Sequence, residues 1–142
     1  MTTPQAIILF AHGSRDPLWR APIEAVAAAI AAKHPHIPVR CAYLELCAPD
    51  LATVTTELIA ACAVKPWTTG QNSLKTGSEG ASSSPSFRII PMFLGMGVHA
   101  RQDLPELVTQ LRAEHPQVQF DVASPIGEDA RVTALLAEIA VV

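Results

Sequence analysis

Ala6-Ile-Ile-Leu-Phe10 is a short apolar run of strand-forming residues, and it ends just before His12-Gly13. Behind it, four apolar residues follow the i, i+3, i+4, i+7 spacing of an amphipathic helix: Ile23, Val26, Ala27 and Ile30. Pro22 fits the first turn of this helix, and His34-Pro35 ends it. The stretch therefore predicts a β-strand followed by an α-helix.

The same strand–helix unit occurs three more times along the chain. Three further apolar stretches are typical of strands: Val39–Leu46, Phe87–Leu94 and Val118–Val122. The helix after the second strand opens at Pro49-Asp50, and the next begins at the capping-box pattern Asp103-Leu-Pro-Glu106. A last helix carries Val132, Leu135, Leu136 and Ile139. This alternation predicts an α/β fold, a small doubly wound parallel sheet of four strands with helices on both faces.

One segment interrupts the alternation. Lys65–Ser86 consists mostly of Gly, Pro, Ser and Thr, with Trp67 and Leu74 as its large apolar residues. Such a composition is typical of a flexible low-complexity loop. With 142 residues the chain has room for one domain. We therefore predict a single domain, 1–142, with a surface insertion at about 65–86.

Composition excludes several functional classes. The net charge of −3 gives no electrostatic reason to expect nucleic acid as a partner. The longest apolar run, Ala25–Ala32, is far shorter than the roughly 20 residues that span a bilayer, and no signal peptide is recognisable. The three cysteines form no C-x-x-C pair and are interpreted as free thiols: Cys41, Cys47 and Cys62. We expect a cytoplasmic protein.

Polar residues follow three of the predicted strands. The first strand leads into His12-Gly-Ser-Arg-Asp16, the second contains Glu45 near its end, and the third leads into Gly95-Met-Gly-Val-His-Ala-Arg101. Ligands of doubly wound sheets bind beyond the carboxyl ends of the strands. We therefore expect two histidines, a carboxylate and the neighbouring arginines to converge at one edge.

Two neutral imidazoles beside a carboxylate suit a divalent first-row transition metal. His12 and His99 leave coordination positions open, whereas a structural metal site is normally closed by four ligands. The pattern thus favours a site that handles or transfers a metal. The other three histidines lie at predicted helix ends, where a partial positive charge is favourable: His34, His36 and His115.

Arginines lie next to both histidines. Arg15 and Arg101 flank them, and Arg20 lies one turn further into the first helix. A guanidinium pairs bidentately with carboxylates, so a metal site ringed by arginines indicates a polyanionic organic ligand. The alternative is that these are ordinary surface arginines. Gly95 and Gly97 would let the backbone approach such a ligand closely.

Together these motifs resemble those of the short sirohydrochlorin cobaltochelatases, which belong to the class II tetrapyrrole chelatases with the sirohydrochlorin ferrochelatases. The likeness runs from about Ile7 to Ile139 and omits Lys65–Ser86. It rests on four stretches: Phe10-Ala-His-Gly-Ser-Arg-Asp, Ala42-Tyr-Leu-Glu-Leu, Ile90-Pro-Met-Phe-Leu-Gly-Met-Gly-Val-His-Ala-Arg-Gln-Asp-Leu-Pro and Ser124-Pro-Ile-Gly-Glu-Asp.

The resemblance implies a flavodoxin-like, chelatase-like fold and ATP-independent insertion of a divalent metal into a reduced tetrapyrrole. It assigns metal binding to His12 and His99, matches Glu45 to the carboxylate of a family motif, and implies a homodimer. Sirohydrochlorin is a polycarboxylate, which suits the three arginines. No cofactor is expected apart from the substrate metal, Co²⁺, with Fe²⁺ or Ni²⁺ as alternatives.

Metal insertion also requires the loss of two pyrrole protons. Imidazole titrates near pH 6.5 and can both hold an ion and accept a proton. We therefore expect His12 and His99 to hold Co²⁺ below the macrocycle, and Glu45 to assist as ligand or proton acceptor. Ser14 and the backbone at Gly95 and Gly97 are expected to position the ring.

Three alternatives stay open at this point. Iron and nickel chelatases would use the same ligands, since the affinity order separates these metals only gradually. A non-catalytic carrier of metal or tetrapyrrole would bind Co²⁺ without turnover. A histidine phosphatase is the third alternative, because His12-Gly13 after a strand is similar to the R-H-G motif of such enzymes. It is disfavoured because Ala11, rather than arginine, precedes His12, so the phosphate pocket would lack its cation.

Overall fold

The structure, a computed structural model, describes residues 3–64 and 85–142. Strands alternate with α-helices throughout this part of the chain. The strands are β1 (Ala6–Ala11), β2 (Val39–Tyr43), β3 (Ser86–Pro91) and β4 (Gln119–Val122). The α-helices are α1 (Ala21–Lys33), α2 (Leu51–Val64), α3 (Val98–Glu114) and α4 (Ala130–Ala140), and two 3₁₀ helices span Pro17–Arg20 and Ile126–Glu128.

The four strands form one parallel sheet in the order β2-β1-β3-β4. This matches the first four positions of the flavodoxin-like order 2-1-3-4-5. β1 lies between β2 and β3, so the segments that follow these three strands emerge side by side at one edge. The predicted α/β fold with a doubly wound parallel sheet is confirmed.

The two faces of the sheet are covered to different extents. On one face, alternate side chains of the strands pack against α2 and α3 in the main core, among them Ile8, Phe10, Phe87 and Ile89. On the other face, α1 covers β2 and β1, and the thiol of Cys41 approaches the carbonyl of Ile23 at 3.9 Å. Helices thus lie on both faces, as the sequence predicts.

The prediction that the third helix begins at Asp103 is wrong. α3 begins at Val98 and passes through Pro105. Ala100, four residues before Leu104, is buried with it, so the apolar face of the helix extends a full turn further towards the amino terminus. The D-x-x-E pattern and Pro105 imitate a helix start, yet both lie inside the helix.

Two strands end earlier than predicted. The chain turns after Tyr43, and Leu46 adopts a left-handed conformation (φ 70°) that a strand cannot contain. β3 stops at Pro91, which has no N–H for a further bond to β4, while Met92 still donates its N–H to the carbonyl of Phe10 at 2.7 Å. Of the predicted insertion, residues 65–84 lie outside the described residues, and Ser86 belongs to β3. Pro85 lies at the amino-terminal edge of the sheet, opposite the edge where His12 follows β1.

Close backbone contacts fix the connection from β4 to α4. Gly127 donates its N–H to the carbonyl of Phe93 at 2.9 Å, and a Cβ at Gly127 would collide with the carbonyl of Leu94. Asp129 caps α4 by accepting from the N–H of Arg131. Hydrogen bonds from the Arg131 side chain lower the pKa of the Asp129 carboxyl to about 2.

α4 packs mainly against the 3₁₀ helix Ile126–Glu128, and none of its residues is buried. Among the described residues, no helix is both long and apolar enough to cross a bilayer.

Candidate site at the carboxyl edge of the sheet

An imidazole and a carboxylate meet where β1 and β2 end. His12 directly follows β1, and Glu45 lies two residues after β2. His12 Nε2 and Glu45 Oε2 are 3.7 Å apart, and their side chains are 47% and 56% exposed. The pair is therefore open to solvent and can be reached by a ligand.

A glycine brings the two segments together. Gly13 has a φ of 103°, a left-handed conformation that disfavours other residues, and a Cβ there would collide with the carbonyl of Glu45. Glu45 donates its N–H to the carbonyl of His12 at 3.1 Å. Gly13 was not among the predicted site residues, although a glycine directly after a histidine at a strand end was a usable signal.

His99 reaches the same edge from the other side of β1. It is the second residue of α3, directly after the loop that follows β3, and it is exposed. β3 lies on the opposite side of β1 from β2. Among the described residues no group of three His, Cys, Asp or Glu side chains is close enough to hold one metal ion. The structure thus joins His12 with Glu45 and leaves His99 apart from them.

The three predicted arginines differ in their contacts. Arg101 donates to the carbonyl of Met96 at 3.1 Å. Arg20 lies over the ring of Tyr43, 5.9 Å from its centroid, and approaches the carbonyl of Ala48 at 3.5 Å. Arg15 is exposed and makes no side-chain hydrogen bond or ion pair within residues 3–64 and 85–142. Arg15 is therefore the most available for an external anion.

Ser14 shapes the loop after β1. Its hydroxyl oxygen accepts from the N–H of Asp16 at 3.0 Å, and the Asp16 carboxylate accepts from the N–H of Leu18 at 2.9 Å. These bonds start the 3₁₀ helix Pro17–Arg20. The hydroxyl proton of Ser14 stays available to donate to a ligand.

Gly95 and Gly97 have no packing reason to be glycines. A Cβ at either position would meet no atom within 4 Å, and neither has a left-handed φ. The absence of side chains here leaves the backbone before His99 accessible, as the sequence analysis expected for a close approach to a ligand.

Exposed apolar side chains surround this edge, and the sequence analysis missed them. They lie in the segments that follow β1, β2 and β3: Leu18, Leu46, Leu94 and Val98. Leu18 is 78% and Leu94 is 68% exposed. Leu18 and Val98, apolar residues in predicted connections, were the available signal, whereas Leu46 and Leu94 were placed at the ends of predicted strands. We call these four residues the apolar rim, a surface suited to the face of a flat, largely apolar molecule.

Tyr43, the last residue of β2, supports the site from behind. It is 2% exposed, and its ring makes an edge contact with Trp19 at 6.1 Å between centroids. A Cβ at Gly13 would lie 3.4 Å from the Tyr43 Cβ, so the tyrosine backs the His12 loop. Burial of the hydroxyl raises the pKa of Tyr43 to about 12.

The fold and this edge define a doubly wound α/β protein whose exposed imidazole–carboxylate pair lies where such sheets bind ligands. A family model described as CbiX matches residues 6–65 and 72–140, and the chain belongs to the CbiX family.

Individual relatives agree with this assignment. The chain is 25% identical to a sirohydrochlorin cobaltochelatase of Methanosarcina barkeri and 27% identical to one of Methanosarcina acetivorans, over 96% of this chain and 94% of each relative. The crystal structure of a CbiX protein from Marinobacter aquaeolei VT8 superposes with a TM-score of 0.70 at 28% identity, covering 96% of this chain and 94% of that one.

A larger protein shares the fold. The sirohydrochlorin chelatase SirB of Bacillus subtilis subspecies spizizenii, in complex with cobalt, superposes with a TM-score of 0.66 at 21% identity. The match covers 99% of this chain and 51% of SirB, so the chain spans about half of that protein.

Proposed function

We propose that this protein inserts a divalent metal ion, with Co²⁺ as the physiological metal, into sirohydrochlorin without ATP in the cytoplasm. The observation that carries the proposal is the exposed His12–Glu45 pair, 3.7 Å apart, at the ligand-binding edge of a CbiX-family fold. The names of the Methanosarcina relatives support both the substrate and the metal.

The metal is a substrate that must be held loosely. His12 Nε2 and a Glu45 carboxylate oxygen would bind the ion, and His99 would join them only after moving closer, since the three side chains are not grouped closely enough to hold one ion. Two or three protein ligands leave positions for water and for the incoming pyrrole nitrogens. A site without a closed ligand set suits an ion that must leave with the product.

Insertion releases two protons, because the ring nitrogens lose their hydrogens as the M²⁺ ion binds. A neutral imidazole or a carboxylate can accept each proton, and both groups of the pair have this capacity. Their exposure lets them pass the protons on to solvent. The pair would therefore serve as ligand before insertion and as proton acceptor during it.

The surrounding residues would orient the macrocycle. Arg15 and Arg101 each have free guanidinium donors for peripheral carboxylates, and Ser14 can donate one further hydrogen bond. Arg20 would add a charge while it holds Tyr43. The apolar rim would contact the ring face, and Gly95 and Gly97 would let it lie close to the backbone. Orientation of the ring against a partly desolvated ion lowers the barrier.

We also propose that the protein acts as a homodimer. One chain supplies a single open edge, and the pair on it is about half exposed. A second copy would close a cleft around a large flat substrate and exclude water from it. The length of SirB, about twice the matched region, supports a requirement for two such units.

The protein ligands alone do not select one metal. Imidazole and carboxylate bind Fe²⁺, Co²⁺ and Ni²⁺ with affinities that rise only gradually along the series. The assignment of Co²⁺ rests on the named function of the relatives, and iron or nickel would be inserted by the same chemistry.

The test is an insertion assay that follows the absorption spectrum of sirohydrochlorin with each metal, without ATP. We expect the protein to accelerate insertion of Co²⁺ above the protein-free rate, and more than that of Fe²⁺ or Ni²⁺. Calorimetric titration of Co²⁺ is run in parallel. A protein that binds Co²⁺ but leaves the insertion rate unchanged would be a carrier, and the proposal would be wrong.

A further inference from the structure

The D-x-x-E pattern Asp103-Leu-Pro-Glu106 caps no helix in the structure, because it lies inside α3, which begins at Val98. The Asp103 side chain is half-buried, and its carboxylate takes part in no hydrogen bond or ion pair within residues 3–64 and 85–142. Aspartate is also a poor helix former in a helix interior. Neither capping nor helix formation therefore explains this residue.

Asp103 lies on the same side of α3 as His99. The two residues are i, i+4 neighbours, whose Cβ atoms lie about 5–6 Å apart on a helix surface. Helical side chains lean towards the amino terminus, so the Asp103 side chain leans over the turn that carries His99. Glu106 lies about 10 Å along the helix from His99, which is too far for contact. On this side of α3, Asp103 is thus the carboxylate within reach of the imidazole.

This side of α3 faces the segment that follows β2. A groove of about 250 Å³ separates the two, and its lining includes Leu44 and Leu51 on one wall and Asp103, Glu106 and Gln110 on the other. His99 continues the spacing of these three α3 residues towards the amino terminus of the helix. Leu44 directly precedes Glu45. His99 therefore lies on the side of α3 that faces the Glu45 segment.

We propose that Asp103 is a positioning residue for His99. Its carboxylate accepts a hydrogen bond from Nδ1–H of the imidazole, which directs Nε2 towards Glu45 and the substrate metal. The two side chains are not hydrogen-bonded in the structure, so the bond forms as the exposed His99 ring turns to take the ion. The inference rests on the proposed function, in which His99 is a ligand of that ion.

A carboxylate behind a metal-binding imidazole has two effects. It fixes the tautomer, so that Nε2 presents its lone pair, and it makes the imidazole a stronger ligand. His12 already has Glu45 at 3.7 Å, whereas His99 has no side-chain hydrogen bond within the described part of the chain. Asp103 thus supplies the orientation that His99 lacks.

The experiment measures calorimetric binding of Co²⁺ alone, and the kinetics of Co²⁺ insertion into sirohydrochlorin. Asp103→Ala should weaken Co²⁺ binding and lower kcat by about 10-fold each. The KM for sirohydrochlorin should stay unchanged, because Asp103 does not contact the macrocycle. Asp103→Asn keeps an acceptor oxygen at the same position and should recover most of both losses. Glu106→Ala, which removes the other α3 carboxylate of the groove, is the matched control and should behave as wild type.

A double variant shows whether Asp103 acts through His99. In a His99→Ala background, Asp103→Ala should cause no further loss of Co²⁺ affinity or kcat. Additive losses, an equal loss in Glu106→Ala, or wild-type values in Asp103→Ala would each overturn the inference. A wild type that binds Co²⁺ without inserting it would refute the proposed function instead, and the Co²⁺ Kd values alone would still decide the role of Asp103.

Discussion

The loops that carry the two histidines are built in opposite ways. The loop after β1 is braced, because Gly13 lies against the Glu45 backbone and Tyr43 backs both. The loop after β3 is open: Gly95 and Gly97 have free space around them, and Leu94 projects into solvent. One histidine thus lies beside a carboxylate, and the other follows an accessible loop as the second residue of α3.

Under the proposed function, this difference predicts a division of roles. The His12–Glu45 pair would receive the metal ion before the macrocycle arrives, since backbone contacts set the positions of the two residues. The open loop with His99 leaves room for a large ring to approach. Substitutions at matched positions of the two loops can test this division.

The largest expected effect comes from removing the histidines. His12→Ala and His99→Ala should each lower kcat for Co²⁺ insertion by about 100-fold or more, because each removes a ligand or proton acceptor. Calorimetry should show weaker Co²⁺ binding for His12→Ala than for His99→Ala, since only His12 has a preformed partner. The readouts are the insertion rate and the Co²⁺ Kd.

His34→Ala is the control, because this exposed histidine ends α1. It should insert metal at the wild-type rate. Wild-type rates in both His12→Ala and His99→Ala would refute the proposed roles, and equal losses of Co²⁺ affinity would refute the division between the loops.

Substitution of the two glycines should change the stability of the protein to different extents. Gly13→Ala should lower the free energy of unfolding by about 2–3 kcal/mol, because it combines a left-handed φ with a backbone collision. Gly97→Ala, with open space around it, should change that free energy by less than about 0.5 kcal/mol. Urea unfolding measures both, and equal effects would remove the contrast between a braced and an open loop.

The contribution to stability of Tyr43, which packs behind the loop after β1, should fall at alkaline pH. An ordinary tyrosine ionises near pH 10, whereas burial raises the pKa of Tyr43 to about 12. Between these values the unfolded chain loses a proton that the folded chain keeps. The contribution of Tyr43 to stability is therefore fully present below pH 10 and falls as the pH rises to 12, by up to about 1.4 kcal/mol per pH unit.

The measurement is the difference in the free energy of urea unfolding between wild type and Tyr43→Phe. The free energy of unfolding of the wild type minus that of Tyr43→Phe should be constant from pH 8 to about pH 10. Above that pH the difference should fall, because only the wild type loses the contribution of Tyr43. A difference that stays constant up to pH 12 would contradict the buried position of the hydroxyl.

The smallest expected effects concern substrate binding by the arginines. Arg15→Ala should raise the KM for sirohydrochlorin several-fold, because its guanidinium has no partner among the described residues. Arg101 lies on α3, the helix that follows the open loop. Arg101→Ala should raise the KM for sirohydrochlorin to a lesser extent, since Arg101 also binds the Met96 carbonyl. A KM unchanged in both would make them ordinary surface arginines, and Arg40→Ala on β2 is the control.

The sequence was sufficient for the fold class and for the alternation of strands and helices, because apolar runs and helical spacing depend on local residues. It was insufficient where two segments distant along the chain decide the result. Asp103 imitates a helix start, and only the burial of Ala100 against the sheet shows the extra turn. The periodicity of α4 predicted a helix but not that Leu135, Leu136 and Ile139 would be exposed.

The site, too, could be predicted only as far as local residues decide it. Strand ends placed His12, Glu45 and His99 at one edge, since that follows from parallel pairing. The distance between His12 and Glu45 depends on the φ of Gly13, a property of the folded backbone. Likewise, the engagement of Arg20 with Tyr43 arises from packing between a 3₁₀ helix and β2.

The contact between Gly127 and Leu94 links two distant parts of the molecule. Leu94 lies in the open loop that precedes α3 and His99, and Gly127 lies two residues before the cap of α4. A displacement of α4 would therefore be transmitted to the loop through a contact too tight to absorb it. A substitution that moves the start of α4 would then also move the loop that precedes His99.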